Sequence, residues 1–354
     1  MPLRVHFIDN AVAHRVIHSH RTQGGQRMRV VILGAGGVGS VIAAYMARAG
    51  YDVVMIARPG HVAAVQRSGL QLRGLDDFQV QVPALTDAAT LYEADILLIL
   101  VKTKDMERSL AGVTHMRVGG VASLQNGVVK NEQIARVFGQ EKVIGSTTMI
   151  GATLVRDGEV EYTLDGVTFF GDPGTQQAER VKFIVDAFVR SGLKAAAAKD
   201  IVSVEWTKQA FQNPFAPLTA ITRLPVHLVW SSPQLAAISV HMFREVAAVA
   251  RAKGVALSEH PAWSLFDMKL MRDAPFDDAV RKLVEVGRQV TASGRTHIIP
   301  SMLQDVLAGK QTEIEETVGY VYKEGTRLGI PVSYTEVAYR TVKAIEENYP
   351  GRVS

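Results

Sequence analysis

Arg29-Val-Val-Ile-Leu-Gly34-Ala-Gly36-Gly37-Val-Gly39-Ser40 is the stretch on which the fold turns. Arg29 to Leu33 is a short β-branched run, and the glycines break it before a helix-like stretch, Ser40 to Ala49, that Gly50 stops. A second strand follows from Asp52 to Ala57. Strand, glycine turn, helix and strand in that order make G-x-G-x-x-G a dinucleotide-binding fingerprint, against the alternative of a glycine turn with no ligand. Gly34 permits the tight turn, Gly36 lets the backbone approach a pyrophosphate, and Gly39 lets the helix pack closely on the strand, with Gly37 inside the same cofactor-binding turn. The helix N-terminus then offers N–H groups to the phosphates.

The end of the second strand selects the dinucleotide. An NAD site places Asp or Glu there for the ribose 2′-hydroxyl, whereas this chain has Arg58 with no acid beside it. A guanidinium can pair with a 2′-phosphate, so NADPH is expected over NADH; the competing view is a surface arginine before Pro59 and Gly60. Asp95 to Val101 reads as a buried strand ending in Lys102-Thr-Lys104, and Gly120 to Leu124 as another ending in Gln125-Asn126-Gly127. Both polar clusters fall at C-terminal strand ends, where open α/β sheets bind ligands. Lys102 is a candidate for cofactor phosphate or ribose, and Asn126 for nicotinamide ribose or substrate. A solvated loop lysine and an ordinary Asn-Gly turn are the plainer alternatives.

After Lys199 the strand patterning fades, and apolar residues recur at helical spacing, as in Leu235, Ile238, Met242, Val246 and Val249. The expected organisation is a tail at 1–27, an α/β Rossmann-type NADP-binding domain at 28–198, and an all-α C-terminal domain at 199–354. The chain's 354 residues, 47% hydrophobic and 21% charged, suit two globular domains and exclude disorder and collagen. With no cysteine, disulfides, iron–sulfur clusters and cysteine nucleophiles are excluded, which fits a cytoplasmic enzyme. The longest apolar run is far short of the ~20 residues of a membrane helix, so no membrane partner is expected.

The net charge of +4 invites a nucleic-acid reading only if the charge lies on a folded face. It does not: Arg4, Arg15, Arg21 and Arg27 against Asp9 place a net +3 in the tail. Met28 opens the first strand directly and is the expected biological start, leaving 1–27 without a core role. His14, His18 and His20 read as part of a solvated tail rather than a metal cluster, and no metal is expected.

The glycine turn, Arg58, Lys102, Gln125-Asn126-Gly127, Trp206-Thr-Lys208 and Ser301-Met-Leu-Gln304-Asp305 followed by Thr312-Glu313-Ile314 resemble, in order and spacing, the ketopantoate reductase (2-dehydropantoate 2-reductase) family. The resemblance runs from about Met28 to Tyr349. It implies a Rossmann domain that binds NADPH, a helical domain that supplies the general acid, and a 2-oxo acid held between them, as in pantothenate biosynthesis. Hydride transfer to a 2-oxo acid builds negative charge on the ketone oxygen, so a positioned proton donor lowers the barrier.

By resemblance Lys208 is that catalytic donor, against the plainer reading of a solvent-facing lysine beside Glu205. Resemblance likewise makes Glu313 the catalytic residue that positions the reacting group, and Ser301 a contact for the substrate carboxylate. Ser301 with Gln304 and Thr312 with Glu315 also form capping-box patterns, so both segments could simply start helices, with Glu313 in a first turn.

The departures bear on the substrate. Family members commonly carry Asn four and eight residues after the lysine, where this chain has Gln212, still a substrate-binding candidate, and Ala216. Other asparagines are usual near Val226 and at Ile298. Asn213 is placed to compensate for one by a register shift, and Pro214 and Pro217 disturb the helix there. Fewer amides suggest a less polar pocket and a different branched or bulkier 2-oxo acid. A non-catalytic NADPH-binding protein is the alternative of another class. Exposed faces of the C-terminal helices leave room for a homodimer.

Overall fold

The computed structural model describes residues 28–174, 178–258, 267–294 and 299–349. Residues 1–27 with their histidines, and Ile298, lie outside them. Twelve strands form two sheets among the described residues. They are β1 (Arg29–Leu33), β2 (Asp52–Ile56), β3 (Leu70–Gly74), β4 (Phe78–Val80), β5 (Ala84–Leu85), β6 (Glu93–Ile99), β7 (Arg117–Ser123), β8 (Val143–Thr148), β9 (Gly151–Arg156), β10 (Glu159–Leu164), β11 (Thr168–Gly171) and β12 (Ala195–Ala197). The large sheet runs β12-β11-β8-β7-β6-β1-β2-β5. It is parallel except where β11 meets β8.

Strand β1 lies between β2 and β6, with Val31 opposite both Val54 and Leu97. The chain leaves β1 toward one edge and returns at β6 on the other side, so the crevice above the β1 and β6 ends is the topological switch point.

Buried on both faces, these strands read as continuous apolar runs. Val30, Ile32, Ile96 and Leu98 pack on one side with Val41 and Met46 of α1 (Gly37–Arg48). Val31, Leu33, Leu97 and Ile99 pack on the other. That second face is covered after α2 (Pro59–Ser68) by Met106 and Leu110 of α3 (Met106–Ala111) and Ile134 of α4 (Lys130–Phe138). Helix α5 (Ala178–Ser191) adds Ile184 and Phe188 to the first face.

Helix α1 is buried from Gly39 to Met46, because a small sheet, β4-β3-β10-β9, covers its other side with Leu70, Leu72, Val160 and Tyr162. A helix apolar all round is one enclosed all round. This second sheet is absent from the sequence reading.

From Ile201 the described chain is helical. Helix α6 (Ile201–Thr222) is capped by Asp200, whose carboxylate accepts from the Ser203 N–H at 3.0 Å. It runs unbroken through Pro214 and Pro217, although each ring removes one helical hydrogen bond. Packing holds it: α6 touches β8 and is enclosed by the helices that follow. These are α7 (Val226–Ser231), α8 (Pro233–Ala252), α9 (Met268–Asp273), α10 (Phe276–Ala292), α11 (Ser301–Leu307), α12 (Val318–Arg327) and α13 (Ser333–Glu347).

Neither expected capping box forms. Helix α11 follows Pro300 without a side-chain cap, and Gln304 turns back to donate to the Ile299 carbonyl. Thr312 gives both its N–H and its hydroxyl to Glu346 of α13, at 2.7 and 2.6 Å, while Glu315 pairs with Lys323. Glu313 therefore sits in an irregular turn, and α12 starts only at Val318.

Candidate active site

The glycine turn has the expected form. Gly34 has a φ of +98°, and a Cβ there would overlap the Val101 backbone. A Cβ on Gly39 would crowd the Gly34 carbonyl at 2.7 Å, and one on Gly37 would strike Ala152 of β9. At Gly36 it would enter open space. Open space above Gly36, at a helix start that no side chain caps, is a cradle that fits a pyrophosphate. The Gly34 and Ala35 N–H groups both donate to the Ile56 carbonyl, at 3.0 and 2.9 Å, which fastens the turn to β2.

Arg58 is exposed at the start of α2, on the same sheet end. The structure also brings Asp157, from the β9–β10 turn, against Gly60. Both charges act on the buried His61, whose imidazole joins Ser40 of α1 to the Gly158 N–H.

Across the crevice, three residues far apart in sequence meet. The Lys208 ammonium, carried by α6, donates to the Asn126 Oδ1 at 3.1 Å and to the Thr148 carbonyl at the end of β8 at 2.7 Å. The Asn126 amide then donates to the Glu313 Oε2 at 3.2 Å. The other Glu313 oxygen accepts from the Thr103 N–H at 3.2 Å, just past β6. Asn126 reaches both partners because Gly127, at φ +84°, turns the chain against the Glu316 carbonyl, where a Cβ would stand 2.7 Å away.

Lys208 is 5% exposed and Glu313 9% exposed, so the solvent-facing alternative for the lysine fails. Burial is the main force that pushes the Lys208 ammonium down to about 7, and the nearby Lys130 cation adds to it. Glu313 and Glu205 oppose the shift. An ammonium poised near neutrality can hold a proton and release it at working pH.

The remaining candidates are placed less centrally. Lys102 reaches across the crevice to form an ion pair with both carboxylate oxygens of Asp305 on α11. Gln212 and Ala216 follow Lys208 on one face of α6 and are half-buried. Asn213 is buried; its Oδ1 accepts from the Gln209 amide at 2.9 Å, the same amide donates to the Thr317 carbonyl, and the Asn213 Nδ2 has no hydrogen-bond partner among the described residues. Val226 is buried, and Ser301 is exposed at the first turn of α11.

A family model described as "Ketopantoate reductase PanE/ApbA" matches residues 30–174, and its C-terminal counterpart matches 200–346. The chain belongs to the ketopantoate reductase family. Among curated relatives, a 2-dehydropantoate 2-reductase of Archaeoglobus fulgidus is 31% identical over 320 residues, covering 90% of this chain and 98% of the relative. One from Pyrococcus horikoshii is 26% identical with the same coverage. Among solved structures, a PanE/ApbA family ketopantoate reductase from Ralstonia eutropha JMP134 superposes with a TM-score of 0.76 at 27% identity, covering 90% of this chain and 99% of that one. A D-mandelate dehydrogenase solved with NADH and anilino(oxo)acetate superposes at 0.78, with the same coverage and 20% identity, a likeness of fold.

As a ketopantoate reductase family member the chain is an oxidoreductase, and no described helix is long and apolar enough to cross a membrane. Several groups at this candidate site were not singled out from the sequence. The Thr103 hydroxyl lies 3.3 Å from Glu313 and 3.0 Å from Glu316, whose carboxyl burial pushes up. Its signal was its place in Lys102-Thr-Lys104 at a strand end. Lys130 and Glu205, both buried beside Lys208, carried no signal in the sequence.

Proposed function

We propose that this chain reduces a 2-oxo acid to the 2-hydroxy acid with NADPH, ketopantoate to pantoate being the leading reaction, as the names of its relatives suggest. The observation that carries this is the hydrogen-bonded line Lys208–Asn126–Glu313, which spans the crevice beside the glycine turn. Residues 28–198 would hold the cofactor and 199–354 would complete the substrate site.

Gly34, Gly36, Gly37 and Gly39 would admit the pyrophosphate at the start of α1, and Arg58 would pair with a 2′-phosphate. When bound, NADPH supplies the hydride to the ketone carbon. As that carbon is reduced, charge develops on the ketone oxygen, and the Lys208 ammonium gives it a proton. Asn126 orients Lys208 while its amide holds Glu313. Glu313, fixed from behind by the Thr103 N–H, would accept from the hydroxyl that forms and so position it. Ser301, Gln212 and Lys102 are available to the substrate carboxylate and its polar groups.

A second reading keeps the chemistry and changes the substrate. Below Lys208 on α6, Gln212 is followed by the half-buried Ala216, one amide where the family commonly has two, which favours a less polar 2-oxo acid.

The test is NADPH consumption against a panel of 2-oxo acids that includes ketopantoate, with Lys208→Ala as control. Turnover highest with ketopantoate and lowered about 10²- to 10⁴-fold by the substitution supports the leading reaction. Turnover highest with a bulkier acid moves the assignment to the second. Silence across the panel, with NADPH still bound, makes the chain a binding protein.

A further inference from the structure

Lys130 and Glu205 form an ion pair with side chains 1% and 2% exposed and a nitrogen-to-oxygen distance of 3.5 Å. Burying two charges is costly, and such a pair is no better for stability than apolar residues of similar size. Yet both charged groups are held by hydrogen bonds from their surroundings. Glu205 accepts from the Ser146 N–H of β8 at 2.9 Å and from the Asn131 amide at 2.7 Å. The Lys130 ammonium donates to the Gln125 carbonyl at 3.0 Å, one residue before Asn126. Glu205 lies on α6 one helical turn from Lys208, so the pair and the proposed acid share one buried volume.

We propose that the Lys130–Glu205 pair is a positioning unit for the reaction: Glu205 fixes the Lys130 cation, which clamps the Gln125–Asn126 backbone and sets a second positive charge within reach of Lys208. The clamp holds the Asn126 side chain on the line between Lys208 and Glu313. The second charge opposes the protonated form of Lys208 and so eases delivery of its proton to the alkoxide oxygen. The charged groups that face Lys208 are Glu205 from its own helix, Lys130 from α4 and Glu313 from the turn before α12. Burial pushes the Lys130 ammonium down and the Glu205 carboxyl up, and the charge of each on the other, with Glu313 also facing Lys130, works against those shifts.

This inference rests on Lys208 being the proton donor, and the experiment separates the two. The kcat of NADPH-driven reduction is followed from pH 5.5 to 9.5 for the wild type, Lys208→Ala, and the double variant Lys130→Met with Glu205→Gln. The double variant removes both charges together, because Lys130→Met alone strands a buried carboxylate. The expected result is a descending limb moved up, because the lost Lys130 charge outweighs the opposing lost Glu205 charge, and a kcat lowered severalfold, with KM for NADPH unchanged. Lys208→Ala leaving kcat intact overturns the acid assignment and this inference with it. Lys208→Ala abolishing turnover while the folded double variant keeps the wild-type limb and kcat overturns this inference alone. Failure of the double variant to fold makes the pair structural and also overturns it.

Discussion

The role proposed for Lys208 rests on where its ammonium is buried. A lysine whose pKa falls in the folded state to about 7 is neutral there while still charged in the unfolded chain, up to its ordinary value near 10.5. Over that window the unfolded state binds more protons, so stability rises with pH, by at most about 1.4 kcal/mol per unit from this group. Urea denaturation at pH 7 and pH 9.5 should show the gain, and Lys208→Met should remove it; an equal slope in the variant would mean the lysine keeps its charge when folded. Reduction has the opposite sign. The donor must be protonated, so kcat should be level below about pH 7 and fall above it. The role proposed for Arg58 is toward the cofactor. Arg58→Ala should raise KM for NADPH about 10- to 100-fold through lost charge-assisted bonds of about 1.5–3 kcal/mol and leave KM for NADH nearly unmoved. Equal losses with both cofactors would remove the 2′-phosphate contact and turn attention to Asp157.

Among the elements, α6 bears the most, since it carries Glu205, Lys208 and Gln212 and is enclosed by both halves. Its start depends on Asp200, the side chain that receives the Ser203 N–H. Asp200→Ala should cost about 0.5–2 kcal/mol, read as a lowered thermal midpoint, with kcat changed far less because the active end of the helix lies further along. The difference between what was and was not legible in the sequence is physical. Strand β1, the glycine turn and α1 are fixed by neighbours in the chain, so local patterning reveals them. The small sheet joins residues near 70–80 to others near 151–164, and only the enclosed apolar run Val41 to Met46 hints that something covers α1. The capping box at Thr312 failed for the same reason. Thr312 looks like a helix start in sequence, but Glu346, 34 residues on, takes its hydrogen bonds. The identity of Lys208, Asn126 and Glu313 as candidates was legible; their line of contact required the turn at Gly127, the end of β8 and the segment before α12 to converge.

At the scale of the molecule the two halves meet through polar groups that differ in burial. The ends of the Glu313–Asn126–Lys208 line are buried and its middle is half-buried, whereas the Lys102–Asp305 pair spans the same crevice with the lysine 40% and the aspartate 8% exposed on their side chains. A partly solvated pair contributes little to stability, below about 1 kcal/mol. On the proposed function its value lies in direction, because it holds the Lys102 ammonium in the crevice where an anionic substrate would enter. Asp305→Asn removes the charge while keeping the shape. The thermal midpoint should therefore move little, and KM for the 2-oxo acid should change severalfold as Lys102 is released, with the change fading at high salt, where exposed charges are screened. A large loss of stability instead would mean that the pair holds the halves together, and an unchanged KM at low salt would mean that Lys102 does not meet the substrate.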